Sequence, residues 1–171
     1  YGFSQDMERE QLKKSIEDGT IGEYLQKIPV HKNDTFYIEA GTVHAIGAGC
    51  LMAEIQENSN LTYRMYDYDR QDKYGKKRPL HIERALEAVK LDKSTPPGQP
   101  QRVLNYHRGC ATELLCRCRY FQVERMLFNT EQCRQLLEYH TDSTSFQVLL
   151  CIDGCGIMLK DGAGELQFFK G

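Results

Sequence analysis

The sequence lacks the features that would direct a protein to a nucleic acid or a membrane. Its formal net charge is only −2 over 171 residues, which gives no strong field to attract a polyanion or an anionic lipid surface. It has no apolar run of about 18 residues, the length that a membrane-spanning helix requires. It starts at Tyr1 with neither an initiator methionine nor a signal-peptide layout. We therefore expect a cytoplasmic protein that begins partway through a longer chain and has neither nucleic acid nor membrane as a partner.

Paired cysteine motifs are missing as well. The chain has seven cysteines, at positions 50, 110, 116, 118, 133, 151 and 155. This number is odd, and no two pairs have the spacing of a structural zinc site. Alternate cysteines such as Cys116 and Cys118 are more often packed on a strand than bound to a metal. We therefore expect reduced cytosolic thiols rather than disulfides or a thiolate metal site.

Helical patterns are present in two regions of the chain. They predict helices over 6–18, 22–27 and 79–90. In the first helix, Leu12 and Ile16 share one face, and Gly19 suits the C-terminal end. Asp6 is the expected N-cap, and Pro79 is expected in the first turn of the last helix.

Strand patterns dominate the remainder. Alternating apolar and polar residues predict strands at 36–39, 51–56, 62–66, 120–128, 156–160 and 166–169. The run 146–152, apolar except for Gln147, predicts a strand buried on both faces, and turns are expected at 153–154 and 161–164. The segment 94–100 is rich in proline and is the clearest linker. The sequence therefore predicts a mainly β fold in two parts, with both ends of the chain cut.

His44 is the first candidate for chemistry. It follows a Gly-Thr turn at the end of a predicted strand and is flanked by small or apolar residues. A neutral imidazole in such a place is a good Zn²⁺ ligand. The alternative is a structural histidine, because a zinc site needs three or four protein ligands and His44 supplies one.

Polar side chains then follow on two further segments. Glu54, Gln56 and Asn58 share one face of an extended segment, which is either a solvent face or the lining of a barrel cavity. Arg64 offers a permanently charged fork suited to phosphate or to a developing enolate oxygen. The alternative role of Arg64 is a surface ion pair with a neighbouring carboxylate. Asp67, Asp69 and Arg70 are expected to be turn and network residues.

These segments together resemble one family, the type I mannose-6-phosphate isomerases in their short bacterial form. The match covers residues 1–90 strongly and 101–171 weakly, as the central to C-terminal part of such an enzyme. The matching segments are Gly41-Thr42-Val43-His44-Ala45-Ile46-Gly47, Glu54-Ile55-Gln56, Asn58-Ser59, Thr62-Tyr63-Arg64, Tyr66-Asp67-Tyr68-Asp69-Arg70, Gly75 and Lys77-Arg78-Pro79-Leu80-His81.

The resemblance implies a cupin-type fold, in which double-stranded β-helix (jelly-roll) barrels carry a small helical insertion. Residues 1–93 would be the C-terminal part of a catalytic domain, with a helical segment at about 6–28 and a closing helix at about 79–90. Residues 94–100 would be the linker, and 101–171 a second, incomplete cupin-like domain. The implied activity is the zinc-dependent interconversion of mannose 6-phosphate and fructose 6-phosphate through an enediol, with the sugar phosphate as small-molecule partner. No oligomeric state is implied.

By position in the family's motifs, His44 matches a zinc ligand and Arg64 the catalytic arginine. Glu54 matches an acidic residue of the same pocket. The family's other zinc ligands lie upstream of the segment that matches Tyr1, so we expect this chain to be inactive and to bind metal weakly by itself. Two alternatives stay open: a non-catalytic cupin module that binds a sugar, and a structural β-domain whose polar residues face solvent.

Overall fold

The computed structural model describes residues 1–99, 102–129, 131, 136–160, 162 and 164–170. The chain forms two compact units, residues 1–129 and residues 130–171. This division falls after Asn129 and not within the predicted linker 94–100, whose residue Ser94 donates its backbone N–H to Phe3 O at 2.9 Å. The domain assignment made from the sequence stays a prediction.

The core of the first unit is built on the helices. Helix α1 spans Arg9–Glu17, a 3-10 turn spans Ile21–Glu23, and helix α2 spans Ile82–Ala88. Leu12 and Ile16 of α1 are buried as the sequence predicts. Burial of apolar side chains is the main stabilising term here. The cluster consists of Phe3, Met7, Leu12, Ile16, Ile21 and Leu86.

Both helix starts differ from the sequence-based expectation. The residue that precedes α1 is Glu8, which makes no side-chain cap hydrogen bond. Asp6 instead accepts a hydrogen bond from the backbone N–H of Lys93 at 2.7 Å. Helix α2 begins after Pro79, because two groups before it form hydrogen bonds with Arg64. The Pro79 carbonyl accepts one from the Arg64 guanidinium, and the His81 N–H donates one to the Arg64 carbonyl. Gly19 follows α1 with φ +72°, the left-handed conformation expected of a C-terminal glycine.

The β-structure lies in two antiparallel sheets. Strands β1 (Asn105–His107), β2 (Cys110–Arg117) and β3 (Gln122–Phe128) form one sheet in that order, with an irregularity in β2 between Leu114 and Cys116. Strands β4 (Cys155–Lys160) and β5 (Gly164–Phe169) pair in the second unit. The strands predicted at 120–128, 156–160 and 166–169 are confirmed. The turn predicted at 161–164 includes residues 161 and 163, which lie outside the described residues.

Four predicted strands are absent from the structure. The segments 36–39, 51–56, 62–66 and 146–152 are not strands, and the prediction that 146–152 is buried is wrong. Leu51 is 92% exposed and Phe146 is 86% exposed. A strand requires a hydrogen-bonded neighbour, and no strand among the described residues pairs with these segments. Their alternating sequence therefore remains extended without forming a ladder.

The cysteines of the described residues are all free thiols. They are Cys50, Cys110, Cys116, Cys118, Cys151 and Cys155. Burial raises the pKa of the Cys116 thiol, and the nearby Cys118 raises it further. A raised pKa keeps the thiol protonated and unreactive. Within the same ranges, no helix has the length and hydropathy to cross a membrane.

Candidate functional site

Arg64 is held by the segment that leads into α2. The backbone N–H of His81 donates to Arg64 O at 2.7 Å, and the backbone N–H of Arg64 donates to His81 Nδ1 at 3.3 Å. The Arg64 guanidinium donates to Pro79 O at 3.2 Å. No carboxylate pairs with Arg64 within the described part of the chain, so the ion-pair alternative is not what the structure shows. Its charge stays available for an anion.

Asp67 is the centre of a second polar cluster. Its buried carboxylate accepts hydrogen bonds from Arg70 Nη2 at 2.6 Å and from Arg78 Nε at 2.7 Å. A further hydrogen bond comes from Arg78 Nη2. The bonds from Arg78, followed by those from Arg70, lower the pKa of Asp67 to about 2 although burial acts in the opposite direction. Asp67 and Arg70 are thus network residues, as the sequence predicts.

A pocket of about 490 Å³ lies beside this cluster. Its walls come from the C-terminal end of α1, from the segment 66–70, and from Lys77 and Arg78. Lys77 Nζ lies 2.8 Å from an Asp69 oxygen, so the pocket cations are already paired with carboxylates. The pocket is therefore a polar space of mixed charge and has no excess of positive charge to attract an anion.

His44 is exposed, and no described hydrogen bond joins it to this cluster. Its Nδ1 lies 2.9 Å from the backbone oxygen of Thr42. A bond from Nδ1–H to this carbonyl leaves Nε2 with a free lone pair, which is how a backbone carbonyl orients a metal-binding histidine. The geometry suits His44 as one metal ligand.

The site predicted from the sequence at His44, Glu54 and Arg64 stays a prediction. No hydrogen bond or ion pair joins His44, Glu54 and Arg64 in the ranges that the structure describes. Glu54 is exposed, which is the arrangement that the solvent-face alternative predicts. The same ranges contain no group of three His, Cys, Asp or Glu side chains that could hold a metal ion. All three residues lie on segments that form no strand.

Two residues of these polar clusters, His81 and Arg78, are not identified as site residues from the sequence. In the sequence, both stand only as members of the matching segment Lys77-Arg78-Pro79-Leu80-His81. His81 contacts Arg64 across 17 residues of chain, and Arg78 reaches Asp67 across 11. Neither contact follows from strand or helix periodicity. The basic run Lys76-Lys77-Arg78 before Pro79 is the one available signal.

The fold and the site define a mainly β protein with two short helices, an arginine that pairs with no described carboxylate, and a polar pocket beside Asp67. No family model matches the chain. It is 42% identical over 166 residues, 95% of its length, to "Mannose-6-phosphate isomerase ManA" of Bacillus subtilis. It is 31% identical over 158 residues to "Putative mannose-6-phosphate isomerase YvyI" of the same organism, and 45% identical over 85 residues to a Streptococcus mutans mannose-6-phosphate isomerase.

The structural comparison agrees with these sequence matches. The crystal structure of the Bacillus subtilis mannose-6-phosphate isomerase superposes with a TM-score of 0.75 at 26% identity, over 99% of this chain and 51% of that one. The chain therefore belongs to the mannose-6-phosphate isomerase family and shares its mainly β fold. It spans about half the length, or less, of the curated relatives it matches: 49% of ManA, 47% of YvyI and 27% of the Streptococcus protein.

Proposed function

We propose that this chain supplies the arginine-bearing part of a cupin-type mannose-6-phosphate isomerase, and that it is inactive by itself. The observation that carries the proposal is the 42% identity over 95% of the chain to a relative of that name. The geometry of Arg64 supports it, since a guanidinium without a carboxylate partner is free to bind an anionic substrate. The six cysteines among the described residues are free thiols, which fits a reducing compartment such as the cytoplasm.

The proposed reaction moves a proton between two neighbouring carbons of the sugar through an enediol. Arg64 would stabilise the negative charge that develops on the substrate oxygen, since a fixed cation contributes most where charge forms. Glu54 would donate or accept the proton, provided that partner strands bring it within hydrogen-bond reach. The sugar phosphate is the small-molecule partner under this proposal.

Zinc is the metal implied by the family resemblance, and the described residues do not fit a complete site for it. His44 has the exposed position and the oriented ring of a ligand. No group of three suitable side chains accompanies it among those residues, whereas a zinc site needs three or four ligands. The chemistry above is therefore assigned to Arg64 and Glu54 alone.

A chimera tests the proposal directly. The matching segment of the Bacillus subtilis isomerase is replaced by this chain, and conversion of mannose 6-phosphate to fructose 6-phosphate is followed in a coupled assay. Turnover by the chimera, with none from the 171-residue chain or from the remaining half of the relative, is the expected result. A folded chimera that binds the sugar phosphate without turnover would overturn the proposal and favour a non-catalytic sugar-binding module.

A further inference from the structure

The contact between Arg64 and His81 resembles a hydrogen-bonded pair of antiparallel residues. In one of its two bonds, however, the acceptor is a side-chain nitrogen instead of a backbone oxygen. In an antiparallel ladder, each hydrogen-bonded pair of opposed residues exchanges two N–H to C=O bonds. Here the first bond is of that kind, from His81 N–H to Arg64 O at 2.7 Å. The second runs from Arg64 N–H to the imidazole Nδ1 of His81 at 3.3 Å. The backbone of Arg64 is thus held on both its N–H and its C=O by one residue.

His81 is itself anchored to the core of the first unit. Its carbonyl oxygen accepts the N–H of Ala85 at 2.9 Å, the first hydrogen bond of α2. Ala85 and Leu86 in that helix are buried. His81 is half-buried and immediately precedes α2 in the sequence. A residue tied to a packed helix is a rigid support, whereas the segment that carries Arg64 has no strand partner of its own.

We propose that His81 is a positioning residue for Arg64, acting through its unprotonated Nδ1. The inference rests on the proposed function, because it assigns His81 a part in the reaction that Arg64 serves. His81 does not contact the substrate in this scheme. It fixes the backbone from which the Arg64 guanidinium extends, and the guanidinium is fixed further along by Pro79 O at 3.2 Å. Accepting a hydrogen bond at Nδ1 requires the neutral ring with its proton on Nε2.

Two substitutions separate this role from a merely structural one. In His81→Asn, the side-chain oxygen is attached to Cγ, as Nδ1 is, and it can accept the same N–H. In His81→Gln, the oxygen lies one bond further out and misses that position. The expected result in the chimera is a kcat within about threefold of the parent for His81→Asn. For His81→Gln we expect a loss of about 10- to 100-fold with KM little changed, as for a misplaced catalytic group.

Thermal unfolding is the control for both variants. Equal melting temperatures for His81→Asn and His81→Gln, with unequal kcat, support positioning. Equal kcat values for the two variants would overturn the proposal. If His81→Gln fails to fold, His81→Leu provides the second variant that lacks an acceptor, and the same comparison with His81→Asn applies.

A second measurement needs no turnover. Nitrogen-15 spectra of histidine-labelled 171-residue chain report which ring nitrogen carries the proton, and His81→Asn assigns the His81 signals. We expect His81 with its proton on Nε2 and the Arg64 amide protected from exchange. A proton on Nδ1 would overturn the inference. A wild-type chimera without turnover would instead overturn the proposed function, and the spectra would still decide whether His81 holds Arg64.

Discussion

The backbone oxygen of Gly41 accepts a hydrogen bond from the N–H of Lys90 at 2.9 Å, which joins the turn before His44 to a residue two positions after the end of α2. Lys90 also reaches back with its side chain, since Nζ lies 2.5 Å from a Glu39 oxygen. Gly41 has φ +86°, and a Cβ added there would lie 2.7 Å from the backbone oxygen of Ala88. The turn before His44 therefore contains a close backbone approach and a left-handed residue, both of which favour glycine.

Gly41→Ala should destabilise the first unit. The left-handed backbone and the clash with a backbone oxygen together should cost about 1–3 kcal/mol. Gly47→Ala is the matched control, because a Cβ at Gly47 meets nothing within 4 Å. Urea unfolding followed by circular dichroism measures both. Equal stability of the two variants would show that the distance between Gly41 and the Ala88 oxygen leaves room for a Cβ.

Asp67 should make the chain more stable above pH 4 than below it. Its pKa is lowered from 3.8 to about 2 in the folded chain. A lowered carboxyl pKa stabilises the fold at a pH above the unfolded value, and this contribution is lost as the pH falls towards the folded value. Asp67→Asn should therefore lower the melting temperature at pH 7, and the difference from the parent chain should shrink between pH 4 and pH 2.

Asp69→Asn is the control for this pH experiment. Its side chain is 85% exposed and pairs with Lys77 on the surface, where ion pairs contribute little. Its melting temperature should follow that of the parent chain over the whole pH range. A constant gap between Asp67→Asn and the parent chain down to pH 2 would contradict the assignment of the lowered pKa.

Leu12→Ala should cost about 2–5 kcal/mol, since it removes a fully buried side chain and leaves a cavity. Leu12 is 0% exposed and lies in the cluster formed with Phe3 and Leu86. Leu51→Ala removes the same atoms from a side chain that is 92% exposed, and its effect should stay within about 0.5 kcal/mol. Chemical denaturation separates the two, and a similar loss in both would show that 51–56 is packed in solution.

Arg64→Ala should abolish turnover in the chimera while the metal content is unchanged. Loss of a fixed charge-stabilising donor costs about 10²–10³ in kcat. Arg64→Lys keeps the charge but not the planar fork, so it should recover only part of the activity. Metal analysis of the purified variants is the control. Retained turnover in Arg64→Ala would remove Arg64 from the mechanism.

Zinc should bind only weakly to the 171-residue chain. One histidine does not satisfy a metal that takes four ligands in proteins. Equilibrium dialysis should show no tight stoichiometric site, and His44→Ala should change the result little. Tight binding of one zinc ion per chain would contradict the incomplete site.

The parts of the fold that could be predicted from the sequence are those whose partners are close along the chain. The helix with Leu12 and Ile16 on one face was predicted because helical spacing is local. Strands β3, β4 and β5 were predicted for the same reason, since each pairs with a neighbour in sequence. The segment 51–56 has an equally clear pattern but no ladder. The alternation of apolar and polar residues shows only that a segment prefers an extended backbone. A strand also requires a second segment of chain beside it.

In the candidate site, too, the local features could be predicted from the sequence and the long-range contacts could not. The role of Asp67 in a network followed from a local run of charged residues. The support of Arg64 by His81 did not, because it joins residues 17 positions apart through a ring nitrogen. Asp6 was predicted as a helix cap and instead binds the backbone of Lys93, 87 positions away. Long-range contacts of this kind depend on the packing of the core and leave no periodic signal.

The extended segment around Leu51 has a consequence for the behaviour of the chain in concentrated solution. Leu51, Ile55 and Leu61 are exposed there, on a backbone whose N–H and C=O groups are not part of any sheet. Such a segment is a template for pairing between molecules. Glu54 and Glu57 interrupt this apolar segment and oppose its aggregation, since stacking of identical strands would place like charges side by side. In the isolated chain, the carboxylate proposed to move a proton thus also limits aggregation.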